Sequence, residues 1–372
     1  MILKPLIGPR GKIPILVRDD DTNYFTSETM LESVYSEAWN QGFKVSLSVV
    51  PLQMGIDDIS VPPDLRTSSR CYSIADNDSL IRYVRKKIGQ KVVEVVQHGF
   101  SHELIDGIRG EFGGNLGKKN EIEKGRNIIR QAFEMEPKFF VPPGEDISNQ
   151  NIVEVLEQGL IPIYRETLFD QILRLGFVPN FIKNAGMRLI MNRYINDTDK
   201  NFGVQFLKPV LISAKKNVIT WSLPKIRAPH ITSFDSLFNL TNAIIKLCSQ
   251  NRNPVCIINH YHLYYYDWNS TITKGELFKA WRNILTSFNK VEIGWKTNFL
   301  ELYTRLEKIR SISMAKTGSK ITIIANTIIN DFSFQTTKPL ETNSMVTSDE
   351  EMNIATLHEI SPNTTLVFYE KD

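Results

Sequence analysis

Alternation constrains this chain more than any other feature of its sequence. Through the first three hundred residues, short β-like runs take turns with stretches of helical period. "IPILV" (13–17) reads as a buried strand. A helix follows over about 27–41, with Met30, Val34 and Ala38 on one face and Gly42 at its end. "KVSLSVVP" (44–51) is the next strand, "SLIRYVRKKIG" (79–89) a helix and "KVVEVVQ" (91–97) a strand. Then come a helix over 119–135, the strand "KFFVPP" (138–143), the helix "NIVEVLEQG" and the short strand "IPIYR". Residues from about 170 to 232 are less regular. The pattern resumes with a helix over 234–250, a strand over 254–259, a helix over 274–290, the strand "VEIGW" and a last helix over 297–310. Such alternation predicts an α/β fold with a parallel sheet and outer helices. Six or seven units favour closure into a distorted (β/α) barrel of about seven units. In such barrels the chemistry sits at the C-terminal ends of the strands.

After Ser311 the rhythm breaks. "KITIIANTII", "DFSFQTT" and "TLVFYEKD" are β-like runs with no helix between them. The sequence therefore predicts a (β/α) barrel over 1–310 and a small β-rich accessory domain over 311–372. The 42% hydrophobic content of the 372 residues is enough for a real core. A net charge of +3, with no basic tract, gives no reason to expect nucleic acid or an anionic membrane as partner. Three cysteines, Cys71, Cys248 and Cys256, are odd in number and lack ligand spacing. They point to a reducing compartment rather than a disulfide framework. The N-terminal stretch has prolines and glycines where a signal peptide needs an unbroken apolar core. No run reaches the roughly 18 apolar residues of a membrane span. A soluble, cytoplasmic protein without a transmembrane segment is expected; no feature sets an oligomeric state.

Four strand ends carry reactive side chains. "ILV" runs into Arg18, Asp19, Asp20 and Asp21, and "VVEVVQ" into His98 and His102. "FFV" runs into Pro142, Pro143 and Gly144, and "VCIIN" into His260, Tyr261 and His262. Adjacent carboxylates repel, so a fold that holds three of them needs a cation or a split of their pKa values. Alone, such a run is as readily a solvated turn capping a helix. In "HGFSH" the i, i+4 spacing lets both rings face one metal if the chain turns helically after the strand, and Gly99 frees the backbone to turn. In an extended "HYH" the imidazoles face opposite ways, so one of them is expected at the pocket. Two histidines and a carboxylate make a donor set suited to zinc with an open position.

The order "DDD … HGFSH … FVPPG … INHYH" resembles the polysaccharide deacetylases of the NodB homology, or carbohydrate esterase family four, type. The similarity is greatest to their divergent, intracellular predicted-deacetylase branch and covers roughly residues 10–310. The resemblance implies a base and a metal ligand in the first motif. An Arg two residues ahead of the pair selects Asp20 as base and Asp21 as ligand; the other register gives Asp19 and Asp20. His98 and His102 map onto the second motif's ligands. The third motif's arginine and aromatic are absent, with Val141 and Gly144 among the residues there; the Gly144 N–H remains as an oxyanion donor, and Arg18 or Arg165 as a substitute cation. A fourth motif has only weak counterparts, Trp221 and Arg227. His260, with His262 as its rival, maps onto the closing histidine that protonates the leaving amine.

The resemblance implies one divalent ion, zinc first, with cobalt, nickel or iron as alternatives. It implies hydrolysis of the amide C–N bond of an N-acetylated carbohydrate. Arg18, Pro143, Tyr264 and Trp268 are the expected substrate contacts, the aromatics because sugar faces stack on rings. Two other readings remain: a metal amidohydrolase acting on a non-sugar amide, and a non-catalytic glycan-binding protein on the same scaffold.

Overall fold

A computed structural model describes residues 4–164, 210–213, 216–220 and 241–371, apart from 56–57, 67, 69, 106–108, 115, 243–244, 247–248, 250–253, 267–272, 341–345 and 350–352. Trp268, Arg165, Trp221, Arg227 and most of the helix expected over 234–250 lie outside the described residues. The chain divides into two compact units. One is Leu16–Ile244 with Val255–Ser287, and the other is Met1–Ile15 with Ile245–Pro254 and Phe288–Asp372.

Strands β1 (Ile13–Thr22), β2 (Val45–Val49), β3 (Val93–His98), β4 (Phe139–Val141), β5 (Ile161–Pro162) and β6 (Val255–Asn259) form a curled sheet in the order β5-β4-β3-β2-β1-β6. The four pairings from β1 to β5 are all parallel. Parallel neighbours need crossovers. These are supplied by α1 (Glu28–Asn40), α2 (Asp78–Gly89), α3 (Lys119–Phe133) and α4 (Asn149–Glu157). A seventh strand, β7 (Gly294–Lys296), pairs in parallel with Ile13–Ile15. It lies between α5 (Lys274–Asn289) and α6 (Phe299–Arg310).

Local chemistry explains the elements. Ser27 caps α1 by accepting the Met30 N–H, and Gly42, at φ +79, lets the chain turn towards β2. The face α1 buries is Leu31, Val34, Tyr35 and Ala38; the expected Met30 lies one position off this stripe and is half-buried. Burying a side chain such as Leu31 contributes about 1.5–3 kcal/mol. β2 is buried at every residue, as a strand covered on both faces must be. Beneath α3 and α4 lies a cluster of Phe112, Ile122, Phe140, Val155 and Leu160.

The C-terminal region is antiparallel. Ile312–Thr317, Lys320–Ala325 and Thr364–Tyr369 form one sheet. Ile329–Gln335, Ile354–Ile360 and Val346–Asp349 form another, joined at its edge by Lys4–Leu6. Ile321, Ile323, Phe332, Phe334, Leu357 and Phe368 are among its core residues. No helix among the described residues is long and apolar enough to cross a membrane.

Candidate metal centre

The end of β1 departs from a flat strand. Its register with β2 shifts between Asp19 and Thr22, and Asp21 adopts φ +70. The strict alternation of side chains is broken there, and each aspartate meets its own partners. Asp19 accepts from Thr22 Oγ1 (2.7 Å), the Tyr261 N–H (2.9 Å) and the Tyr35 hydroxyl. Asp20 Oδ2 is ion-paired with Arg18 at 2.6 Å. Its Oδ1 is buried without a hydrogen-bond partner among the described residues. Asp21 meets histidines on both oxygens. Oδ1 lies 3.0 Å from His98 Nε2 and 2.9 Å from His102 Nε2, while Oδ2 lies 3.0 Å from His262 Nε2 and 3.8 Å from His260 Nε2.

Environment separates the three acids. Burial pushes Asp19 well above the usual carboxylate range, against the pull of its hydrogen bonds. Burial also works to raise Asp20 and Asp21. Arg18, His98 and His260 nevertheless hold Asp20 below the usual range, and His102, with His262 and His98, holds Asp21 well below it. Splitting the three pKa values in opposite directions relieves the repulsion that the sequence poses.

The histidines reach Asp21 by a route other than the helical turn expected from their spacing. His98 is the last residue of β3, and the chain then runs as a loop through Gly99 (φ +55) to His102 (φ +59). Glu111 holds this loop. It accepts the N–H groups of Phe100 (2.6 Å), Ser101 (3.1 Å) and His102 (3.2 Å), and the Ser101 hydroxyl (2.7 Å). Three successive amides gathered by one buried carboxylate fix a backbone path that the i, i+4 spacing does not reveal. The "HYH" segment also differs from expectation. After His260 the chain enters a short 3₁₀ turn, Tyr261–Tyr264, so both imidazoles approach Asp21 Oδ2 instead of facing opposite ways. His262 is wholly buried, whereas the His260 side chain is 18% exposed.

The second nitrogens of the motif histidines are also engaged. His98 Nδ1 lies 2.9 Å from the Val141 carbonyl, and His102 Nδ1 lies 2.8 Å from Asp58 Oδ2. A carbonyl oxygen only accepts, so His98 donates through Nδ1 and directs Nε2 towards Asp21. A proton on Nε2 or a metal ion between the two atoms would satisfy this 3.0 Å contact. Asp21, His98 and His102 offer ligand atoms all within 4.8 Å of one another, a set that could hold a divalent ion. The residues therefore fit a metal. The Val141 carbonyl also accepts the Gly99 N–H at 3.0 Å, so the end of β4 braces the second motif.

Some expected site residues play other parts. Arg18 is 1% exposed and serves Asp20 rather than a ligand's surface. Pro143 is buried, packed so close to Gly99 that a Cβ there would lie 2.6 Å from its ring. Tyr264 is 1% exposed, its hydroxyl bonded to Asn259 and its ring against Phe278, so it offers no face to a sugar. Gly144 is exposed at φ +64, in the turn that follows β4. Asp58, Glu111 and Tyr35 belong to no motif and escaped the sequence reading. The glycine in "HGFSH" was the one signal of a loop needing outside support.

No family model matches the sequence, and no curated protein matches it. Solved structures do resemble the fold. A family 4 acetyl xylan esterase from Clostridium thermocellum, in complex with a cobalt ion, is 13% identical at a TM-score of 0.41, over 78% of this chain and 90% of that one. A peptidoglycan N-acetylglucosamine deacetylase is 12% identical at 0.41, over 79% and 90%. A CE4 family pseudoenzyme from Bacillus anthracis is 11% identical at 0.35, over 77% and 64%. These neighbours are carbohydrate-esterase-family-four proteins, active and inactive alike, at low identity.

Proposed function

We propose that the chain is a metal-dependent hydrolase that removes an N-acetyl group from a sugar or polysaccharide. The observation that carries this reading is the convergence of His98 and His102 Nε2 on Asp21 Oδ1, beside an ion-paired Asp20 with a free oxygen. Asp21, His98 and His102 would hold the ion, with zinc the first choice for such a donor set. When bound, it would supply Lewis-acid chemistry, easing deprotonation of water and polarising the acetamide carbonyl.

The chain's own groups supply the proton transfers. Asp20 is fixed through Oδ2 by Arg18 and takes the proton of the attacking water on Oδ1. Arg18 thereby fills the place of the arginine that "FVPPG" lacks. The exposed Gly144 N–H is the oxyanion donor, a contact whose loss typically costs about 3 kcal/mol. His260 reaches solvent and gives a proton to the departing amine, while the enclosed His262 braces Asp21. Amide and water become amine and acetate.

The test is acetate release from a panel of N-acetylated sugars, oligosaccharides and nucleotide sugars with zinc, cobalt or nickel added. Asp20→Asn is expected to abolish release, by at least about 100-fold, while leaving the bound metal in place. Release from no member of the panel by a metal-loaded wild type would leave the two alternatives, an amidohydrolase acting on a non-sugar amide and a non-catalytic glycan-binding protein.

A further inference from the structure

We propose that Asp58 is a positioning residue of the metal centre: it locks the His102 ring with Nε2 on Asp21 and thereby sets how tightly the site holds a divalent ion. The inference rests on the metal reading above and deepens it. Asp58 lies outside all the motifs, 44 residues from His102 in sequence. Its own turn fixes it first. Oδ1 accepts the Ser60 N–H at 2.6 Å, and its carbonyl accepts the Val61 N–H at 3.0 Å. That leaves Oδ2 for His102 Nδ1 at 2.8 Å, with the two side chains only 9% and 11% exposed.

His102 is thus held between two carboxylates, one on each ring nitrogen. Rotating the ring breaks both contacts. The two motif histidines differ in how much they need such a brace. His98 ends a strand and is steadied by the Val141 carbonyl. His102 stands on a loop with left-handed backbone, φ +59, where no strand pairing fixes its direction. A carboxylate on the far nitrogen both orients a ligating imidazole and strengthens its electron donation, more than a neutral carbonyl does.

The experiment titrates metal-stripped full-length protein with Co2+, read by visible d–d absorption, for wild type, Asp58→Asn and Asp58→Ala. Far-UV circular dichroism monitors folding. Asp58→Ala is expected to weaken Co2+ binding by about 10–100-fold and to shift the absorption band. Asp58→Asn keeps an oxygen for the Nδ1–H without the charge, so it is expected to fall between the two. A folded Asp58→Ala that binds within about twofold of wild type, with the same band, overturns the proposal and leaves Asp58 a turn residue. If Asp58→Ala does not fold, Asp58→Asn decides: affinity and band equal to wild type overturn it. A wild type that binds no Co2+ overturns the metal reading itself; binding by wild type with unaltered variants overturns only the role of Asp58.

Discussion

At Asp19, Asp20 and Asp21, three neighbouring carboxyl groups meet a hydroxyl cage, a guanidinium and a ring of imidazoles. Such a division requires a backbone that aims each side chain separately, and positive φ values at Asp21, Gly99 and His102 are the means. Gly99 is the most exacting of these. A Cβ there would lie 2.2 Å from Glu111 Oε1. Gly99→Ala is therefore expected to destabilise the protein by about 2–4 kcal/mol in urea denaturation. Gly159→Ala, at φ +73 with nothing within 4 Å of the added carbon, should cost only about 1 kcal/mol. Equal costs would mean that the Glu111 clamp yields. The sequence shows Asp21, His98 and His102 as residue types in order, because metal donors at strand ends are few. It hides Asp58 and Glu111, because their partners are brought to them only by the fold.

The regular elements were legible where their periodicity was long. α2, expected over 79–89, spans Asp78–Gly89, and α3, expected over 119–135, spans Lys119–Phe133. The loops that shape the site were not, since Gly99 and Asp21 turn the chain without a repeating pattern. In the C-terminal region the sequence shows three β-like runs, whereas the described residues between Ile312 and Tyr369 form six strands. Strands such as Val346–Asp349 are short, with polar residues among the few that pair. One ionic contact in this region responds to acid. Glu370 bonds Lys316 at 2.6 Å and Thr337, with its side chain 5% exposed. Burial works to raise its pKa, but Lys316 and Thr337 bring it down to about 2. A depressed carboxyl stabilises the fold above its unfolded value, about 4.3. That stabilisation is lost as pH falls from there to about 2. Glu370→Gln should be less stable than wild type at pH 6 in urea denaturation, with the gap narrowing below about pH 4 and closing only below about pH 2. A gap that is constant with pH would show that Glu370 acts by packing alone.

For the molecule as a whole, the proposed metal site would link metal binding to folding. An ion held only by the native state adds about 2.7 kcal/mol at a hundred times its dissociation constant. Calorimetry should show a higher unfolding temperature with added Zn2+ and reversal by a chelator; an unmoved transition would contradict the metal reading. The affinity should rise with pH. Burial lowers the basicity of His102, but Asp21 and Asp58 outweigh it and hold the ring's pKa well above its usual value, so an incoming ion must displace that proton. The order in which the ligands occur along the chain has a consequence for biosynthesis. β1, β2 and β3 are sheet neighbours, and Asp21 and His98 are only 77 residues apart, while His262 is 241 residues from Asp21. At about 5–20 residues per second, the ribosome delivers His102 roughly 8–30 s before His262. For that interval the nascent chain carries Asp21, His98 and His102, the three proposed ligands, without His260 and His262. An ion captured then would knit the first three strands together before the rest of the sheet exists.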